Sequence, residues 1–150
     1  MTQPIDETRD EFIEKMGLLV QADGLPRTAG RVMGMLVWHG EPISFCDLAI
    51  GLQVSRGSIS TATRILIDRR MVRRLAKPGD RQDYFQLAEK SYESMVKDLS
   101  LQFHRRSEDL YSTLDCVPES EPEIRERVRA YSVMLESVSR KIGELAEEMV

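Results

Sequence analysis

Residues 44–70 read SFCDLAIGLQVSRGSISTATRILIDRR, and this stretch decides the fold. Ser44 is placed to cap a short helix, with Asp47 three residues on completing a capping-box-like pair. Phe45, Leu48, Ala49 and Leu52 supply its apolar face. Gln53-Val54 reads as a turn, and Ser55 caps a further helix, Arg56 to Arg70. In that helix Ile59, Ala62, Thr63, Leu66 and Ile67 fall inward, while Arg56, Gly57, Ser58, Ser60, Thr61, Arg64 and Asp68 fall outward. With Leu48, Ala49, Leu52, Val54, Ile59 and Leu66 inside, the two helices make a helix-turn-helix pattern.

Upstream, Ile5 to Gln21 is amphipathic, with Ile5, Phe12, Met16 and Leu19 on one face and Ile13 and Val20 flanking it. Asp23-Gly24-Leu25-Pro26 interrupts the pattern. The next helix starts near Pro26 or Arg27, runs through Val32, Met35, Leu36 and Trp38, and ends at His39-Gly40. Gly30 and Gly34 within it each cost about 1 kcal/mol against alanine, which predicts close helix packing at both. Glu41-Pro42-Ile43 reads as a short extended link.

Downstream, Met71–Leu75 and Asp83–Leu87 read as a hairpin with Lys77-Pro78-Gly79-Asp80-Arg81 at its tip. A long helix follows from Glu89 to Leu114, striped by Tyr92, Val96, Leu99, Phe103 and Leu110. A loop from Asp115 to Pro122 leads to a last helix, Glu123 to Val150. The expected fold class is mainly α with a small β-hairpin wing: a winged helix-turn-helix with flanking dimerisation helices. Within a single domain, 1–150, residues 27–88 would form the winged helix-turn-helix DNA-binding part. Residues 1–23 and 89–150 would form the helical dimerisation part.

The formal net charge is −4, but it is unevenly spread. Between Ser55 and Arg81 eight basic residues face only Asp68 and Asp80, a local +6 that leaves −10 on the rest of the chain. Solvated faces normally mix signs. Segregation on this scale points to a polyanion site on an acidic body. On the outward helix face Ser58, Ser60 and Thr61 are small enough for close approach, and Arg56 and Arg64 are long donors suited to guanine edges. At the hairpin, Arg81 is expected to enter a minor groove, with Arg73, Arg74 and Lys77 along the phosphates. Asp80 is expected to orient Arg73 or Arg81. The candidate DNA-binding set is therefore Ser55, Arg56, Gly57, Ser58, Ser60, Thr61, Arg64, Arg73, Arg74, Lys77 and Arg81.

In the last helix Ile124, Val128, Tyr131, Leu135, Val138, Ile142, Leu145 and Met149 alternate spacings of four and three, a heptad seam. Such a seam can pack on its own chain, but this one is long and narrow enough to favour a partner chain. With Phe12 these residues form the candidate dimerisation set, implying a homodimer on a pseudo-palindromic duplex with half-sites about one turn (~34 Å) apart.

Other classes find little support. No paired His/Asp/Ser set, phosphate loop or metal cluster is present, so neither an enzyme nor a bound cofactor or metal is expected. Cys46 and Cys116 have no disulfide or metal-ligand spacing, and His39 and His104 stand apart. Stretches of the ~18 apolar residues that a membrane span needs are absent, and Met1 to Asp10 is polar and acidic, unlike a signal or transit peptide. A cytoplasmic location is expected. Single-strand RNA binding would call for stacking aromatics that the recognition helix lacks. The competing reading is a winged-helix protein-interaction module, which would expose apolar residues where this chain is basic.

Three segments carry a family likeness: GLPRTAGRVMG at 24–34, VSRGSISTATR at 54–64 and PGDRQDY at 78–84. Together they resemble the GbsR branch of the MarR-type regulators, over nearly the whole chain. The resemblance implies a winged-helix homodimer, usually a repressor, with its recognition helix at Arg56 to Arg70 and its wing at Lys77 to Asp83. It also implies a small-molecule effector between the DNA-binding and dimerisation parts, to which no residue is assigned by motif. Gln53 departs from the glycine common in helix-turn-helix turns, so an altered turn is expected there.

Overall fold

The computed structural model describes residues 3–149. Met1 and Thr2 of the acidic N-terminal stretch, and Val150 at the end of the last expected helix, lie outside the described residues. Two compact units divide the chain, one ending at Ser91 and the other starting at Tyr92.

The first unit is organised around α2 (Arg27–His39). Its Ala29, Gly30, Val32, Met33, Gly34, Met35 and Leu36 are all buried, and Gly40, at φ 70°, ends it with an N–H bond to the Leu36 carbonyl. Helix α1 (Ile5–Ala22) lies directly on it. A Cβ at Gly30 would sit 2.4 Å from the Met16 carbonyl oxygen and 2.8 Å from the Gly17 Cα, and one at Gly34 only 3.0 Å from the Ile13 Cα. The close packing expected of these glycines is thus with α1. It also corrects the expected face of α1: the buried residues are Ile13 and Gly17, while Ile5 and Leu19 are exposed and Phe12 and Met16 half-buried. Glu14 joins the same contact, accepting bonds from Arg27 (2.6 Å) and Arg31 (2.8 Å), and Arg31 goes on to the Leu52 carbonyl at 3.0 Å.

Helix α3 (Phe45–Leu52) and helix α4 (Arg56–Asp68) follow, each capped as expected by a serine hydroxyl, Ser44 on the Asp47 N–H and Ser55 on the Ser58 N–H. The core beneath them holds Leu48, Leu52, Ile59, Ala62 and Leu66. Between them Gln53 takes the left-handed conformation, φ 54° and ψ 46°, so the turn keeps the geometry glycine usually supplies and the side chain carries the strain. Helix α4 stops two residues before the expected Arg70, which itself has φ 60°.

The wing is a three-stranded antiparallel sheet in the order β1-β3-β2, formed by β1 (Ile43–Ser44), β2 (Val72–Ala76) and β3 (Asp83–Leu87). The expected Glu41–Ile43 link therefore ends in a strand: Ile43 pairs with Phe85 and Ser44 with Tyr84. Phe85, 1% exposed, anchors the sheet in the core.

In the second unit α5 (Ser91–Thr113) runs through a 3₁₀ turn, Leu114–Cys116, to α6 (Pro122–Glu148). The two helices meet through serines. Ser100 and Ser139 hydroxyls each donate to the other's carbonyl at 2.8 Å, and Ser107 donates to the Ser132 carbonyl at 2.9 Å. Ser107 and Ser132 are fully buried. The expected α5 stripe is instead partly outward, with Tyr92 and Leu99 exposed. Of the α6 heptad residues only Leu135 is buried; Ile124, Tyr131, Leu145 and Met149 are exposed. Arg125 closes the far end of the hairpin by donating to the carbonyls of Leu114 and Val117.

His104 on α5 also ties to α6, its Nδ1 lying 3.0 Å from Glu136 and its Nε2 3.3 Å from Glu108. The Glu136 hydrogen bond and the Glu108 charge hold its pKa above the ordinary 6.5.

Two outcomes are expected. Gly30→Ala should lower stability by about 2 kcal/mol in urea unfolding, because the overpacking outweighs the gain in helix propensity; an unchanged midpoint would contradict the close α1–α2 contact. Histidine with a raised folded-state pKa stabilises fully below its unfolded pKa and stops doing so as pH rises through the folded value. An NMR titration should therefore put the His104 midpoint above 6.5 and find it lowered in Glu136→Gln, with wild type losing its stability advantage over that variant as pH rises.

Candidate nucleic-acid interface

All eleven candidate DNA-binding residues reach the surface: Ser58 and Ser60 are half-buried and the other nine exposed. They come from two elements of the first unit, α4 and the wing. On α4 the helix period decides who sits where, since successive residues turn by about 100°. Gly57, Thr61 and Arg64 share one line, with Asp68 at its C-terminal end. Arg56 is turned about 100° to one side and Ser58 about 100° to the other.

The cations differ in how they are held. Arg56 lies over the Phe45 ring, 4.8 Å from its centroid, with Nη1 3.5 Å from the Cys46 sulfur. Lys77 stands over the Tyr84 ring at 4.2 Å. Arg73 donates to Gln86, its cross-strand neighbour, at 2.8 Å, and Arg74 is 3.7 Å from Asp83. Arg64 donates to the Ser60 hydroxyl at 3.4 Å and has no ion pair among the described residues. The Arg81 guanidinium has no ion-pair partner among the described residues.

At the wing tip the Asp80 N–H bonds the Lys77 carbonyl, with Pro78-Gly79 between them and Gly79 at φ 79°. That matches a type II turn, which needs a positive φ at its third position. Asp80 does not orient an arginine as expected. Its carboxylate accepts the Tyr84 hydroxyl at 2.5 Å and the Gln82 N–H at 2.9 Å, and these bonds hold it below the usual carboxylate range. The same bond pushes the Tyr84 phenol up. Gln82 in turn accepts the Cys46 N–H at 3.4 Å, so the wing tip is tied to the first turn of α3. Sequence reasoning missed Phe45, Gln82, Tyr84 and Gln86 as supports. Only the strand register, which sets Arg73 opposite Gln86, could have signalled one of them.

A cleft of about 470 Å³ opens beside α4, lined by Pro26, Thr28, Ser55, Gly57, Ser58, Thr61 and Ala62. Among the described residues its wall holds no charged side chain. Among the described residues no group of three His, Cys, Asp or Glu side chains could hold a metal ion, and no helix is long and apolar enough to cross a membrane.

No family model matches the chain. It is 45% identical over 78 residues to the HTH-type transcriptional regulator MmpR5 of Mycobacterium tuberculosis, covering 51% of this chain and 47% of that protein. The chain thus spans about half the length of this relative. It is 24% identical over 138 residues to the putative HTH-type transcriptional regulator YvaV of Bacillus subtilis, covering 83% of this chain and 78% of that one. A solved structure described as a transcriptional regulator superposes with a TM-score of 0.75 at 27% identity, covering 95% of this chain and 97% of its own. The fold is a winged helix-turn-helix, and the proteins it resembles are transcriptional regulators, a role without enzymatic chemistry.

Tyr84→Phe removes the hydroxyl that braces Asp80. Amide hydrogen exchange should quicken at Gln82 and Asp80 while the global unfolding midpoint stays close to wild type. Unchanged exchange at both amides would show that the turn holds the tip without the phenol.

Proposed function

We propose that the chain is a sequence-specific, homodimeric DNA-binding transcriptional regulator: a repressor that a small-molecule effector releases. One observation carries the DNA reading. Eight cations of the 55–81 segment, against two acids, lie along one helix, the wing beside it and the short link that joins them. Four of them on this surface are held by neutral or weakly paired neighbours, so their charge stays available to phosphates. Similarity to MmpR5 and YvaV, both named as transcriptional regulators, supports the same reading.

Dimerisation is supported by the second unit. Apolar side chains of α5 and α6, among them Leu101, Ile124, Tyr131, Leu145 and Met149, are left exposed by the α5–α6 contact. Together with Val128, Val138 and Ile142 they offer the surface a second copy would cover; Phe12, half-buried on α1 against Trp38, is proposed for the same role from the first unit. Repression and effector release rest on the resemblance to the GbsR branch of MarR-type regulators, and cytoplasmic action follows from a DNA target.

The test is fluorescence anisotropy of a labelled duplex over a salt series. Log affinity should fall linearly with log salt, by about 0.9 per phosphate contacted, and Arg64→Ala and Arg81→Ala should each weaken binding about tenfold or more. A wild-type protein that binds no duplex at low salt would sink the reading and leave the basic surface to another partner.

A further inference from the structure

Gly57 is a glycine that the fold does not need. It lies in the first turn of α4, where alanine would give the more stable helix. A Cβ added there would meet nothing nearer than the Ser55 hydroxyl at 3.8 Å. Gly30 and Gly34, by contrast, are required by a neighbouring helix. The space that Gly57 leaves empty belongs to the cleft it lines with Pro26, Thr28, Ser58 and Thr61. Among the described residues this wall is uncharged and, with Ser55, carries four hydroxyls, which suits close contact with a sugar–phosphate strand. Across α4 from the cleft stands Arg56, already docked on Phe45 and Cys46 and turned away from the Gly57–Arg64 line. Between the two lies Arg64, held by nothing stronger than Ser60 at 3.4 Å.

We infer that the cleft seats one strand of the bound duplex, with Gly57 keeping it open; Arg56 meets the opposite strand's phosphates, and Arg64 reads a guanine edge between them. This assignment rests on the DNA-binding reading above. It separates the two arginines that sequence alone treats as equivalent. Arg56 is a backbone anchor, because reaching a base would break its stacking on Phe45. Arg64 is the specificity-determining residue, since its guanidinium is free to align bidentately. Asp68, one turn beyond Arg64 on the same line, repels phosphate and limits insertion to the N-terminal half of α4.

The experiment uses the full chain and a duplex selected by the wild-type protein from a random-sequence pool, with a scrambled duplex as control. Gly57→Ala should raise the melting temperature by about 1–3 °C while weakening binding to the selected duplex about tenfold or more. Arg64→Ala should bring the two duplexes to nearly equal affinity. Arg56→Ala should weaken both by the same factor and make the salt slope shallower by about one unit. Wild-type binding in Gly57→Ala, or loss of discrimination in Arg56→Ala with discrimination kept in Arg64→Ala, would overturn the assignment and leave the DNA reading intact. If the wild type selects no duplex at all, the DNA reading itself falls.

Discussion

Everything in the first unit depends on how closely α1 can lie on α2. The Met16 carbonyl sits where a Gly30 side chain would begin, so the helices touch backbone to backbone. That contact buries one side of α2 and leaves the opposite side for α4 and the sheet. Small residues at a crossing let the surrounding side chains interlock, and interiors at crystal-like density tolerate little change of volume. Glu14 fixes the sliding position of the contact by gripping Arg27 and Arg31 at once. Arg31 then reaches the Leu52 carbonyl, so the end of α3 is set by the same pair of helices. The placement of α4, and of every side chain on its outward face, follows from this chain of supports.

Charge on that face is handled differently from charge elsewhere in the unit. Arg9, Arg27 and Arg31 pair with carboxylates, which neutralises them. Arg56, Lys77 and Arg73 are steadied instead by a phenylalanine ring, a tyrosine ring and a glutamine amide. Ring faces and amides restrict a long side chain without cancelling its field. The result is a positive surface with part of its rotamer entropy already lost, favourable for meeting a polyanion. Asp80 illustrates the same economy: as a hydrogen-bond acceptor for Tyr84 and Gln82 it braces the wing tip and, among the described residues, leaves Arg81 without an ion pair.

How much of this was legible depended on which physical signal each part leaves. The helix-turn-helix could be read because both helices announce themselves twice, by a serine cap and by apolar periodicity. Pro78-Gly79 marked the wing tip for a similar reason, since a type II turn demands a residue at ease with positive φ. β1 escaped because two residues cannot establish an alternation. The face of α1 is hidden from periodicity because Gly17 lies buried in it, and glycine carries no hydrophobic signature. Asp80 suggests an arginine partner because opposite charge is the obvious one, whereas a phenol four residues on and an amide two residues on are nearer. Gln53 departs from the expected residue type without changing the turn, so composition there misled where conformation did not.

Helix α6 shows most clearly why periodicity alone cannot say what a face is for. Ser132, Ser139 and Ala146, seven residues apart, are buried along with Leu135, and the first two bond to α5. Neither serine registers in an apolar count. The bulky heptad series lies to the side of this seam, and four of its eight members are exposed. One helix thus carries two seven-residue repeats with different chemistry: small residues, two of them serines, that let α5 approach, and large apolar ones the α5 contact leaves largely uncovered. A helix that needed only to close its own hairpin would gain nothing from the second repeat, and exposing it to water costs about 25 cal/mol per Å² of apolar area. A second copy covering the surface would recover that cost, which is why the apolar repeat supports the proposed dimer more strongly once the serine seam is known.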